Sequence, residues 1–243
     1  MTAASAQRLI YVSPIVDLWL MAHGSGAAEG APLPLTLLAA LTAAAALCSP
    51  SRRMRTPLAM LAAVAAVLQA ANCFPNTSNH QYLYALSAVM LVACRGRASE
   101  QSDLATLVGV VMIWAGVQKL LYGEYVDGAF LHWLTQVDGR FDVALGWAPS
   151  GVIVALSNAV WLGEVLVGVG LLLEKTRAMA AMLGIALVVG IEVVTWELAF
   201  GALMTALLLS SSADRRVSKL GRGAMALLVL AALVAPLSGL KVY

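Results

Sequence analysis

From Leu104 to Leu121 the chain carries a single charged side chain, Lys119, in an otherwise apolar run. About 20 residues of this kind are what a helix needs to cross the hydrocarbon of a bilayer. Similar runs recur along the sequence, so the fold must suit surroundings in which apolar surface is stable outside. Composition agrees: of 243 residues 61% are hydrophobic and 12% charged, with a mean hydropathy of +0.86. A soluble domain carries about 25% charged residues. The net charge of +2 gives no footprint for nucleic acid. Cys48, Cys73 and Cys94 show no metal-ligand spacing, and haem, P-loop and dinucleotide motifs are missing, so no metal site is expected. Pro14 and Asp17 interrupt the apolar segment after Arg8, so no cleavable signal is expected.

The apolar runs are Arg8–His23, Leu33–Cys48, Leu58–Phe74, Gln81–Cys94, Leu104–Tyr122, Ser150–Leu173, Ala178–Ser211 and Ala224–Leu240. Residues 178–211 would extend roughly 51 Å as one helix, too long for one crossing. A break near Thr195-Trp196-Glu197 turns this run into a helical hairpin. The expectation is an all-α, polytopic membrane bundle of about 8–9 transmembrane helices. It forms one domain over residues 1–243, with no soluble domain.

Basic residues cluster in Ser51–Arg55, Arg95–Arg97, Glu174–Arg177 and Asp214–Arg222. With the hairpin, all these clusters fall on one side with Arg8, and the positive-inside rule makes that side cytoplasmic. The opposite side receives Gly24–Pro32, Pro75–His80, Gly123–Pro149 and the C-terminus. Polar side chains without basic charge collect there, among them Asn76, Asn79, His80, Glu124, Asp127, His132, Asp138 and Asp142.

Lys119 falls about 6 Å below that outer end by helical rise. Gly116 lies three residues before it and Gly123 four after, and with Gly109 they form a stripe of small residues. Small residues mark close helix contacts in membranes, so Lys119 is expected to face protein. Such a charge is either a catalytic group or one half of a structural pair; snorkelling is the remaining reading. A histidine at a helix start, as His80 is, is more often a cap or an interfacial contact than an acid–base group. Glu192 and Glu197 should reach the depth of Lys119 and could pair with it. Glu164, counted from Ser150, lies roughly 20 Å down and is expected to be too deep to touch Lys119.

Three stretches then resemble the membrane module of vitamin K-dependent gamma-glutamyl carboxylase and its wider HTTM (horizontally transferred transmembrane) family. "NHQYLYAL" (Asn79–Leu86) is similar to the family's Asn-His segment with its Tyr-Leu-Tyr run. "AGVQKLLYGEYVDG" (Ala115–Gly128) resembles its Ala-Gly-Val-x-Lys-Leu segment. "LLLEKTRAMAAMLGIAL" (Leu171–Leu187) resembles its acid-x-x-Arg loop entering a later helix. The resemblance covers about 75–211.

What it implies is a lysine base at Lys119 that deprotonates reduced vitamin K, a menaquinol-like hydroquinone. O2 and CO2 would be co-substrates in glutamate carboxylation. His80 takes the supporting catalytic role. Asn79, Gln118, Tyr84, Tyr122, Glu192 and Glu197 are the candidate substrate-binding residues. The carboxylases' large soluble domain has no counterpart here. Gln118 stands where they have a second lysine, and Glu192 and Glu197 stand where they have a Phe-His element followed by an Asn. Expected partners are the lipid bilayer, a lipid-soluble quinol and a secreted peptide substrate, without nucleic acid. The expected location is a bacterial inner membrane, with the site facing outward. Two alternatives stay open: a non-enzymatic peptide-maturation accessory or immunity protein, and a DoxX-like quinone-linked subunit.

Overall fold

The computed structural model describes residues 7–22, 33–49, 52–73, 79–94, 100–195, 197–212 and 214–234, and of Arg52, Arg53, Cys73, Asn79, His80, Tyr122, Arg140, Arg215, Arg216, Ser218 and Leu233 the backbone alone. Every regular element among them is helical. A 3-10 turn, Leu9–Val12, leads into α1 (Ser13–Ala22). Then follow α2 (Leu33–Cys48), α3 (Arg52–Cys73), α4 (Asn79–Ala93) and α5 (Glu100–Tyr122). Two short helices, α6 (Ala129–Val137) and α7 (Gly139–Leu145), precede α8 (Ser150–Leu172). The chain continues as α9 (Arg177–Thr195), α10 (Leu198–Ser210) and α11 (Arg215–Val234).

Among the described residues four segments are long and apolar enough to cross a membrane: Met54–Asn72, Glu100–Leu121, Ser150–Leu172 and Arg177–Thr195. Leu9–Ala22, Leu33–Cys48, Gln81–Ala93 and Leu198–Ser210 are apolar but shorter. The expected break after Thr195 is present, and α10 returns antiparallel to α9. Gly201 sits against Glu192, and Gly184 against Leu208. Every residue of α10 except Phe200 is buried. With 13 residues, α10 is about 20 Å long, shorter than the roughly 30 Å core of a bilayer. Neighbouring helices cover its apolar surface.

The stretch expected as an outer loop, Gly123–Pro149, is instead largely helical, because α6 and α7 occupy it. Gly123 ends α5 in the left-handed region at φ +74°, and its N–H donates to the Leu120 carbonyl. Gly128, at φ +77°, starts α6; a side chain there would press on the Val154 backbone at 3.0 Å. Asp127 Oδ1 accepts from the Ala129 N–H at 2.9 Å, satisfying one of the donors that every helix start leaves open.

α5 and α8 pack closely and antiparallel. A Cβ on Gly116 would come within 2.6 Å of the Trp161 carbonyl oxygen, and one on Gly168 within 2.6 Å of the Gly109 oxygen. Gly109 and Gly116 therefore act as the expected stripe. Gly123 does not: a Cβ there would meet nothing within 4 Å, and its role is in the turn. At the opposite end, Arg177 Nε donates to the Leu171 carbonyl at 3.1 Å, and Arg177 Nη2 to Ser102 Oγ at 3.4 Å. The first bond places a cation on the terminal carbonyls of α8, where the helix dipole favours it. The second ties the Glu174–Arg177 turn to the start of α5. Arg95–Arg97 lies outside the described residues.

Candidate functional site

Lys119 is the one cation of an apolar helix and Glu164 the one anion of the next long apolar helix. Both Glu164 oxygens accept from Lys119 Nζ at 2.8 Å. The side chains are 22% and 9% exposed, so the pair is largely withdrawn from solvent. Lys119 faces protein, as its glycine-rich face predicted.

The depth expected for Glu164 is corrected by this contact. Counting from Ser150 treated the start of α8 as level with the end of α5. In the fold α8 begins further out. Asn158 Nδ2 donates to the Val126 carbonyl at 2.8 Å, and Gly128 lies against Val154. The end of α5 is thus level with a point two turns inside α8, and Glu164 needs only about 9 Å more of helical rise to reach Lys119.

Aromatic rings continue the site outward. The Tyr125 ring centroid lies 5.5 Å from Lys119 Nζ, within the range of a cation–π contact. Tyr125 stacks on Phe130 with centroids 4.7 Å apart, and Phe130 lies 6.0 Å from Trp133. Burial pushes the Tyr125 phenol from 10.0 up to about 12, and the charges of Glu164, Glu197 and Glu124 add to this. Tyr125 therefore stays a neutral O–H group at physiological pH.

The ion pair opens onto a cavity of about 840 Å³. Its walls are mainly apolar, with Leu83 and Leu86 from α4, Val110 and Trp114 from α5, Leu134 from α6 and Ile191 from α9. Gln118, Lys119, Tyr125, Glu164, Thr195 and Glu197 supply its polar groups. Several hundred cubic ångströms of apolar space with a few convergent polar groups is the usual make-up of a small-molecule site.

The candidate residues divide accordingly. Lys119, Gln118 and Glu197 line the cavity. Tyr84 does not; it is buried in the core, and Tyr82 faces the cavity from α4. Glu192 is also buried outside the lining, and neither it nor Glu197 pairs with Lys119. The side chains of His80, Asn79 and Tyr122 lie outside the described residues. Glu164 and Tyr125 belong to the site although sequence reasoning did not select them. The usable signal was the lone opposite charges on successive apolar runs, since intramembrane charges tend to pair with one another. Among the described residues no group of His, Cys, Asp and Glu is arranged to hold a metal ion.

Fold and site together define an all-helical bundle, with four helices among the described residues long and apolar enough to cross a membrane, and an apolar cavity with a largely buried amine–carboxylate pair in its wall. No family model, no curated protein and no solved structure matches the chain.

Proposed function

We propose that this chain is an HTTM-like, vitamin K-dependent carboxylase-like enzyme of the bacterial inner membrane that binds a reduced quinone in the cavity. The observation that carries this reading is the Lys119–Glu164 pair at the wall of an 840 Å³ apolar cavity. A naphthohydroquinone has the matching chemistry: a flat apolar ring, hydroxyls that lose protons, and electrons for reaction with O2. Lys119 Nζ holds a ring oxygen by hydrogen bonding, and the amine–carboxylate pair takes up the hydroxyl proton. Apolar walls exclude water, and Tyr125 donates its O–H at the outer mouth. Gln118 and Glu197 orient the polar edge of the ligand, and His80 and Asn79 assist from the start of α4. CO2 and a glutamate of a secreted peptide complete the reaction if it proceeds to carboxylation. In this proposal about nine helices cross the membrane, short ones included, with the basic clusters cytoplasmic and the cavity facing outward.

The test is O2-dependent loss of naphthohydroquinone by the purified protein. Lys119→Arg and Lys119→Met should each lower the rate at least 100-fold, within the range of one acid–base group. Arginine preserves the charge but does not give up its proton, so it separates pairing from proton transfer. His80→Ala should leave residual turnover. Equal rates for wild type and Lys119→Arg, with both proteins folded, would remove Lys119 as the base.

One observation favours a second reading. The Lys119 ammonium already has a short, two-oxygen partner, as a structural pair requires. A non-enzymatic accessory or immunity protein, or a DoxX-like quinone-linked subunit, would use the pair to hold α5 on α8. That reading predicts partner or quinone binding unchanged in Lys119→Arg and no turnover in wild type.

A further inference from the structure

We infer that a groove between α9 and α11 is a binding site for an anionic phospholipid, with the phosphate on Lys219 and one acyl chain along the groove. The groove adjoins the cavity of the ion pair, sharing Ala186 and Gly190 with it, but has its own α11 wall and does not reach Lys119 or Glu164. Its floor is Ile185 and Ala224, with Leu220 and Leu227 on its α11 wall and Lys219 at one end. Gly223, which lines this groove and not the ion-pair cavity, shows that the protein leaves the space open: a Cβ there would meet nothing within 4 Å. Gly221, two residues from Gly223 on the same helix, is different: a Cβ there would run into the Leu209 side chain. One glycine is needed for helix packing; the other opens outward.

Length and charge select the occupant. Lys219 to Leu227 rises about 12 Å, close to the roughly 15 Å of one leaflet's hydrocarbon. Lys219 is exposed and has no carboxylate partner among the described residues. It belongs to the basic run Asp214–Arg222 at the start of an apolar helix. An apolar channel ending in a cation is complementary to a chain ending in a phosphate. Basic pockets between membrane helices on their positively charged side are suited to anionic headgroups.

The experiment is native mass spectrometry of the full-length protein in micelles with equal amounts of phosphatidylglycerol and phosphatidylcholine of identical chains. Wild type should retain phosphatidylglycerol preferentially. Lys219→Gln should lower that preference about five-fold, the effect of one basic residue near a headgroup. Gly223→Leu fills the groove where the fold has room and should lower occupancy by both lipids. Inorganic phosphate should not displace the lipid. Equal retention of the two lipids by wild type would overturn the site. So would phosphate displacement, which indicates a bare anion site, or unchanged retention in both variants.

Discussion

Glu164 and Glu192 are both buried glutamates of long apolar helices, yet they meet opposite surroundings. Glu164 faces α5 across a glycine-lined seam and receives Lys119 at 2.8 Å on both oxygens. Glu192 faces α10, where Gly201 leaves room for its carboxyl. Neither Glu192 oxygen meets a donor at hydrogen-bonding geometry among the described residues, although the Thr195 side chain and Glu197 backbone are close. A charge in an apolar chain therefore acquires its role from the helix that packs against it. Beside a lysine it becomes half of an ion pair at a cavity wall; beside a glycine it fills a notch.

The largest effect should come from removing Glu164. Glu164→Gln leaves the Lys119 ammonium without its counter-charge, and breaking such a pair costs about 3 kcal/mol or more. Glu192→Gln removes no ion pair and should cost less than about 1 kcal/mol. The double change Lys119→Met with Glu164→Leu should recover most of the loss, because an apolar pair needs no counter-charge. Unfolding of the variants in one detergent measures all of this, and a Glu192→Gln loss as large as that of Glu164→Gln would erase the contrast.

Next in size is the seam itself. Gly116→Leu would drive a side chain into the Trp161 carbonyl and Val165, at a cost of about 2–3 kcal/mol. Gly151→Leu, in the same bundle but with nothing within 4 Å of a Cβ, should be nearly silent. Comparable melting of the two variants would mean that α5 and α8 tolerate separation and that the pair does not depend on their close approach.

The smallest effect concerns pH. With its folded value raised from 10.0 to about 12, the Tyr125 phenol holds its proton more tightly folded than unfolded. Its contribution is complete below about pH 10 and is lost as pH rises towards 12. Tyr125→Phe should flatten stability over that alkaline window and leave it unchanged at neutral pH. An unaltered alkaline slope in the variant would place the Tyr125 hydroxyl in more solvated surroundings.

The class of fold was legible in the sequence because apolar runs report their surroundings directly. Lengths of run located α5, α8 and α9, and the over-long run of residues 178–211 led to the break after Thr195. The seven-residue glycine spacing put Lys119 on a protein-facing side, since face depends only on local helical geometry. Depth across the bundle was not legible in the same way. It depends on how far one helix slides along another, and that was decided by α6 and α7, by the Asn158 contact to Val126 and by the glycine seam. The packing of α8 on α5 chose Glu164 as the partner of Lys119, and the rotation of α4 in the bundle turned Tyr82 rather than Tyr84 towards the cavity. Sequence by itself determined which residues are costly to leave alone in an apolar medium. Tertiary structure decided which of them meet, because a pair forms only where two helices bring opposite charges to one level.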